Sequence, residues 1–197
     1  EGKRATFSIQ NFLNLGKAVI ARGKSAIPGV QLDINLQQPK SVGSIKLSSS
    51  NPFDKPIIDP NYLSDQRDIE DFTKAFRHLR YITEQDAFKN VLSTEISPGA
   101  NIKTDDDIHS AIRSLTTTGQ HPVSTCRMGS DNDKGAVLDN KFKVRGTQNL
   151  RVVDASAFPD QINGNINAAV IMMGEKAADI ILDIPPLKRE DPRVTTI

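Results

Sequence analysis

The sequence predicts an α+β fold, because strand-like and helix-like patterns occupy separate stretches of the chain. Residues 30–37 and 44–48 alternate apolar and polar side chains, as half-buried strands do. Downstream of Asp68 the apolar residues recur every three or four positions, which indicates amphipathic helices. After Gly119 the elements become short and closely spaced, so we expect two structural regions that meet near this residue.

The strand-like stretches follow each other closely, so we expect them to pair. In residues 30–37 the side chains of Leu32, Ile34 and Leu36 share one face. The second stretch is bounded by Gly43 before it and by Ser-Ser-Asn-Pro after it, which is typical of turns. Upstream of both, residues 12–24 are predicted to form a helix.

Two amphipathic helices are predicted in the middle of the chain. The first is capped near Ser64 or Asp65, and its apolar stripe consists of Ile69, Phe72, Phe76, Leu79 and Ile82. The second begins at Thr104, a good N-cap residue, and is followed by acidic residues 105–107, which the helix dipole favours at that end.

The last third of the chain predicts short strands followed by one long helix. Residues 141–144 and 150–153 are the predicted strands. The helix is expected over residues 167–182, and because it is apolar around most of its circumference we expect it to be buried on several sides. The polar tail, residues 185–197, is expected to be poorly ordered or bound to a partner.

Composition excludes several classes of function. The 197 residues include 25 Lys and Arg and 24 Asp and Glu, and a net charge of +1 gives no field that would attract nucleic acid. One cysteine cannot form an internal disulfide or a multi-cysteine metal site. No apolar run reaches the roughly 20 residues of a membrane span, so we expect a soluble protein without a transmembrane segment. A homo-oligomer is an open alternative to a monomer.

The most informative stretch is residues 121–129, His-Pro-Val-Ser-Thr-Cys-Arg-Met-Gly. It resembles a motif of the glucose-methanol-choline (GMC) flavoprotein oxidoreductases, with Ser124 in place of the usual glycine. Residues 150–159 resemble a strand and turn of the family that touch the flavin, and residues 164–169 with 174–179 resemble its last active-site loop and helix. Weaker matches at 38–47 and 56–63 resemble the choline dehydrogenase-like branch.

This resemblance implies an organisation for the chain. Residues 1–119 would form an antiparallel-sheet substrate domain with flanking helices, and residues 120–184 would be returning segments of an FAD-binding α/β domain. The Gly-x-Gly-x-x-Gly turn that receives the pyrophosphate is absent from this sequence. We therefore expect the chain to be the carboxy-terminal part of the enzyme, with an amino-terminal FAD-binding half elsewhere.

The resemblance also implies a reaction, the FAD-dependent oxidation of an alcohol, most simply a primary one. His121 takes the place of the family's catalytic base, and a histidine needs no large pKa shift for that role. The alternative is a histidine whose hydrogen bonds are satisfied within a loop. Asn165 matches a position that hydrogen-bonds the substrate oxygen, although it could instead form an Asx turn before the helix.

Four further residues are expected to lie beside the flavin. Asp154 and Ala155 match residues near the ribityl and pyrophosphate region that act mainly through backbone groups; the alternative for Asp154 is a turn or capping aspartate. Asn167 and Ala168 begin the last helix, whose free N-H groups would face the flavin, and Asn167 could also be its N-cap.

The remaining reactive side chains are interpreted as structural. Cys126 is expected to be a small buried side chain with no catalytic role, and Met172 and Met173 are expected in the core. His78 and His109 lie off the apolar stripes, so we expect solvated faces. No spacing of His, Cys or acidic residues predicts a metal site. Two other hypotheses stay open: a family member that uses FAD without net redox chemistry, and a non-catalytic binding module.

Overall fold

The computed structural model describes residues 5–11 and 29–186. The chain divides into two compact units, Glu1–His121 and Pro122–Ile197, and each is treated by itself below. The helix predicted at residues 12–24 and most of the polar tail lie outside the described residues.

The first unit contains two small sheets. The three-stranded sheet has the order β2-β1-β5 with all neighbours parallel, and the two-stranded sheet pairs β3 with β4 antiparallel, Ile45 opposite Ile58. The strands are β1 (Ala5–Asn11), β2 (Gly29–Ile34), β3 (Ser44–Lys46), β4 (Ile57–Asp59) and β5 (Leu92–Ser97). The α+β class is confirmed, and antiparallel pairing holds for β3 and β4, whereas the larger sheet is parallel.

The expected pairing of β2 with β3 is wrong. The backbone N-H groups of Lys40 and Ser41 donate to the buried carboxylate of Asp68, at 2.7 and 2.9 Å, and the Ser41 hydroxyl donates to it as well. These bonds hold Lys40 and Ser41, in the segment that connects β2 to β3, against a helix. In the structure β3 pairs with β4, and β2 pairs with β1. Buried polar groups need such partners, which a strand pattern alone does not reveal.

The helices of this unit are confirmed. They are α1 (Gln66–Thr83), the short α2 (Asp86–Lys89) and α3 (Asp105–Leu115). Asp65 caps α1 and pairs with Arg67, whose hydrogen bonds lower the pKa of the Asp65 carboxyl to about 2. Thr104 and Asp107 form a capping box at α3. The two longer helices enclose one core, formed by Leu63, Ile69, Phe72, Phe76, Ile108 and Ile112.

A buried ion pair ties α1 to β5. The Arg80 guanidinium donates to both carboxylate oxygens of Glu95, at 2.9 and 2.8 Å, and to the carbonyl oxygens of Gly99 and Ile102. It also lies 4.3 Å from the centre of the Phe76 ring. The loop after β5 is therefore fixed to the helix by a guanidinium whose three nitrogens all have acceptors.

The described part of the second unit, residues 122–186, has little regular structure apart from its last helix. The predicted strands at 141–144 and 150–153 are reduced to single antiparallel bridges, Leu138 with Val144 and Lys143 with Arg151. A 3-10 turn, Ala155–Ala157, precedes α4 (Asn167–Ile181). Its core consists of Leu138, Phe142, Ala157, Phe158, Met173 and Ala177.

Helix α4 lies where it is predicted, but it is less buried than predicted. Within the described chain only Met173 and Ala177 of this helix are buried, while Ile171 and Met172 are 59% and 61% exposed. The expectation that Met172 lies in the core is therefore wrong, because the small core of this unit covers one side of the helix. The N-cap is Ile166, so Asn167 is the first helical residue and not the cap.

Candidate active site

His121 ends the first unit at a sharp change of backbone direction. Gln120 before it has a left-handed backbone with φ of 59°, and the Gln120 N-H donates to the Thr118 hydroxyl oxygen at 3.0 Å. Pro122 follows, which restricts His121 to extended conformations. The imidazole is exposed and has no hydrogen-bond partner among the described residues. The alternative of a histidine satisfied within its loop is thus not observed.

The rest of the 121–129 motif runs alongside the 3-10 turn of the second unit. The backbone N-H groups of Ser124, Cys126 and Met128 donate to carbonyl oxygens of Ala155, Ser156 and Ala157 at 3.4, 2.9 and 3.0 Å. Two of the three motifs identified in the sequence are therefore hydrogen-bonded to each other, residue by residue.

Ser124 takes the place of the glycine that is usual in the motif, and its backbone conformation is unfavourable for a serine. Its φ is 69°, a left-handed conformation that a glycine adopts without penalty. Its hydroxyl oxygen is buried and has no hydrogen-bond partner in the described part of the chain. The turn at this position requires a left-handed residue, which explains why glycine is usual there.

The far end of the motif is held by Arg127. Its guanidinium binds both carboxylate oxygens of Asp133, and the Gly135 N-H donates to the same carboxylate at 2.9 Å. The hydrogen bonds from Arg127 lower the pKa of the Asp133 carboxyl. The Arg127 carbonyl oxygen accepts from the Val137 N-H at 2.9 Å, so the loop closes on the core of the unit.

The side chain of Asp154 caps a turn, while backbone N-H groups of Asp154 and Ala155 stay available to a cofactor. The Asp154 carboxylate accepts from the Ser156 N-H and hydroxyl, at 2.8 and 2.5 Å, so its side chain does cap the 3-10 turn. The backbone N-H groups of Asp154 and Ala155 donate to no acceptor within residues 5–11 and 29–186. A capped turn of this kind presents backbone donors, which is the way these residues were expected to contact a cofactor.

Asn165 is exposed, and its amide forms no hydrogen bond inside the described chain. The Asx turn considered as its alternative role is therefore not present. Gly164 before it has φ of 153°, and Ile166 after it packs against the core of the second unit. The backbone around Asn165 is anchored while its side chain keeps its full hydrogen-bonding capacity.

The amino-terminal end of α4 differs from those of α1 and α3. Asp65 and Thr104 cap those two helices, whereas α4 has no side-chain cap and no acidic residue in its first turn. Asn167 and Ala168 are exposed there. The first N-H groups of a helix carry partial positive charge, so this open end suits an anionic or electron-rich group such as a flavin ring edge.

Five of the six predicted site residues are brought together in the second unit. Ala155 and Ile166 pack against the same core as Val123 and Cys126 from the motif loop. Asp154, Ala155, Asn165, Asn167 and Ala168 are thus positioned by one core. His121 belongs to the first unit.

Thr118 and Gln120 were not identified from the sequence. Nothing in composition marks a glutamine as left-handed, since Asn, Asp and Gly are the usual residues there. One feature of the sequence could have predicted this turn, a Thr three residues before the histidine. The hydroxyl oxygen of a Thr can accept a hydrogen bond from the backbone N-H of the residue two positions later.

The remaining sequence expectations have mixed outcomes. His78 is exposed and His109 half-buried, and Cys126 is partly buried against the core of the second unit. The described residues contain no group of three or more His, Cys, Asp and Glu side chains placed to hold a metal ion. A membrane span would need a longer and more apolar helix than any that the described ranges contain.

Comparison with known proteins identifies the fold at the level of a family. Residues 39–174 match the family model described as GMC oxidoreductase. This range includes the first two motifs, residues 164–169 and Gly174 of the third motif, and the six predicted site residues.

Curated relatives agree with this match. The chain is 44% identical over 161 residues to human mitochondrial choline dehydrogenase, covering 82% of this chain and 27% of the relative. It is 43% identical to the oxygen-dependent choline dehydrogenase of Vibrio vulnificus, covering 84% of this chain and 30% of that protein. The chain therefore spans less than a third of the length of these relatives.

Solved structures give the same result. Pyridoxine 4-oxidase from Mesorbium loti superimposes with a TM-score of 0.67 at 36% identity, covering 72% of this chain and 27% of that one. A fungal aryl-alcohol oxidase superimposes with a TM-score of 0.69 at 33% identity, and the match covers 75% of this chain and 24% of that one.

Proposed function

This chain belongs to the GMC oxidoreductase family, and we propose that it is the carboxy-terminal part of an FAD-dependent enzyme that oxidises CH-OH groups. The relatives named choline dehydrogenase and the structural neighbours named as alcohol or pyridoxine oxidases support this class of reaction. The single observation that carries the proposal is that His121 and Asn165, the two side chains expected to meet the substrate, have no internal hydrogen-bond partners in the described chain.

His121 accepts the hydroxyl proton of the alcohol in this proposal. An exposed imidazole without a hydrogen-bond partner among the described residues is available to a substrate oxygen, and imidazole is the side chain that enzymes use most often as a general base. FAD, when bound, supplies an acceptor at N5 for the hydride that leaves the carbinol carbon.

Asn165 stabilises the substrate oxygen as its proton leaves. An amide N-H donates to an alkoxide but does not itself take up a proton, so the role is electrostatic and not that of a base. Its anchored backbone fixes the direction of the donor. Asn165 therefore acts as a hydrogen-bond donor in the proposed reaction, and His121 acts as the base.

Backbone groups of the second unit hold the cofactor. The uncapped start of α4 at Asn167 and Ala168 would receive the electron-rich edge of the flavin, and the backbone N-H groups of Asp154 and Ala155 would hold the ribityl and pyrophosphate region. These groups fit FAD because they are donors without acceptors.

The rest of the FAD site comes from an amino-terminal half, in the same polypeptide or in a second chain. The relatives are more than three times as long as the matched segment, and the exposed apolar side chains of Ile171 and Met172 need a covering surface. Residues 1–119 then act as the substrate-binding region, and residues 120–184 complete the FAD-binding domain.

We propose a small primary alcohol as substrate, with choline as the first compound to test because of the relatives' names. The protein that contains this chain and its FAD-binding half should purify with FAD, and the flavin absorbance should bleach when an alcohol is added without oxygen. A protein that holds no FAD would contradict the proposal. Bound FAD that no alcohol reduces would favour the alternative of an enzyme that uses FAD without net redox chemistry.

A further inference from the structure

The turn before His121 contains a residue in an unfavourable backbone conformation. Gln120 has φ of 59°, and in the left-handed region the Cβ of a residue other than glycine crowds the following carbonyl oxygen. Such a conformation persists only when surrounding contacts hold it. The contact that holds Gln120 therefore decides the direction in which the next residue, His121, leaves the turn.

That contact is made by Thr118. Its hydroxyl oxygen accepts the Gln120 N-H at 3.0 Å, across the intervening Gly119. The side chain of Gln120 is exposed, and a Cβ added at Gly119 would meet only Asn35 Oδ1 among the described residues, at an ordinary 3.8 Å, so neither position shows packing that would fix the turn. On the other side of His121, the ring of Pro122 limits the backbone of His121 to extended conformations. The backbone on both sides of His121 therefore limits the direction in which its imidazole can point.

From this geometry we infer that Thr118 is a positioning residue for His121, acting through the amide of Gln120. The inference rests on the proposed function, in which His121 accepts the substrate proton. Because the imidazole has no hydrogen-bond partner of its own in the described residues, no side chain aims it. Its orientation depends on the turn, and the turn depends on one hydroxyl oxygen.

The test compares Thr118→Val, which removes the acceptor at nearly constant volume, with Thr118→Ser, which keeps it. Both are made in the FAD-loaded protein that contains this chain, and flavin reduction by the best alcohol is followed without oxygen. Thr118→Val should slow reduction by about 10- to 100-fold, since small misplacements of a reacting group have effects of this size. Thr118→Ser should stay within about threefold of the wild type, because the hydrogen bond remains.

A second substitution separates the turn conformation from other effects of the hydroxyl. Glycine adopts left-handed backbone without the Cβ penalty, so the double variant Thr118→Val with Gln120→Gly should recover part of the lost rate. The FAD content and melting temperature of every variant show whether the protein is folded. Recovery by glycine would not follow if Thr118 merely contacted the substrate.

A readout without turnover is the nuclear magnetic resonance signal of His121 in protein with carbon-13-labelled histidine. The signal is assigned by its loss in His121→Gln. Thr118→Val should shift or broaden it and leave the signals of His78 and His109 unchanged, whereas Thr118→Ser should not.

Two results would overturn the inference: a wild-type reduction rate and an unchanged His121 signal in Thr118→Val, or equal damage from Thr118→Ser. If His121→Ala itself reduces flavin at the wild-type rate, the proposed function fails and not this inference alone.

Discussion

At the scale of single residues, the predicted site contains two kinds of polar group. His121 and Asn165 are exposed and keep their hydrogen-bonding capacity, while Asp154 uses its carboxylate to cap the turn in which it lies. The sequence could identify these positions through their motifs. It could not assign their internal partners, because a cap or an Asx turn depends on whether nearby N-H groups point at the side chain.

At this scale we predict that Ser124 lowers the free energy of unfolding of the protein. Ser124→Gly should raise the free energy of unfolding by about 1–2 kcal/mol, because it relieves a left-handed serine and removes a buried hydroxyl without a partner. The gain is reduced by the greater entropy of glycine in the unfolded chain. Urea unfolding of the FAD-loaded protein measures the difference.

The matched control is Ser130→Gly in the same loop. Ser130 is exposed and has no left-handed backbone, so this change should bring no gain. Equal stability of Ser124→Gly and the wild type would show that the loop does not store the strain we describe.

At the scale of elements, the helices were predictable and the sheet pairing was not. Asp65 and Thr104 begin α1 and α3 as expected, since a cap and an apolar stripe are local features of sequence. The parallel pairing of β1 with β2 and β5 joins distant parts of the chain. The buried carboxylate of Asp68 likewise bonds to residues 27 and 28 positions away, a contact that no local pattern reveals.

Breaking the buried pair between Arg80 and Glu95 should cost the first unit more stability than breaking an exposed ion pair. The two side chains are 19% and 5% exposed, so Glu95→Ala leaves a guanidinium without its carboxylate and should cost about 3 kcal/mol of unfolding free energy. Arg77 on the same helix pairs with Asp105, and both are more than half exposed. Arg77→Ala should therefore cost far less, at most about 1 kcal/mol. Similar urea midpoints for the two variants would contradict this assignment.

At the scale of the whole molecule, the chain displays apolar surface that its own units do not cover. Ile171 and Met172 of α4, and Leu47 and Phe53 between β3 and β4, are all more than half exposed. The sequence indicated a helix buried on several sides, and the described chain buries only one. The chain spans less than a third of the length of its relatives, and we propose that a further part of the protein covers the exposed side of α4.

The exposed side of α4 gives a prediction for assembly with the FAD-binding half. Met172→Lys places a charge on a surface that we propose is covered, so the full protein should lose FAD content and melt at a lower temperature. Glu70→Lys introduces the same side chain on the exposed face of α1 and serves as the control. Wild-type FAD content and melting temperature in Met172→Lys would indicate that this side of α4 stays open to solvent.

The central claim is that His121 accepts the substrate proton, and the rate constant of flavin reduction by alcohol without oxygen tests it most directly. His121→Ala should lower this rate constant by about 10² to 10⁴ with FAD still bound, since positioned bases contribute that much. His78→Ala, which removes an exposed histidine from α1, should leave it unchanged. Reduction of the flavin in His121→Ala at the rate of the wild type would contradict the account.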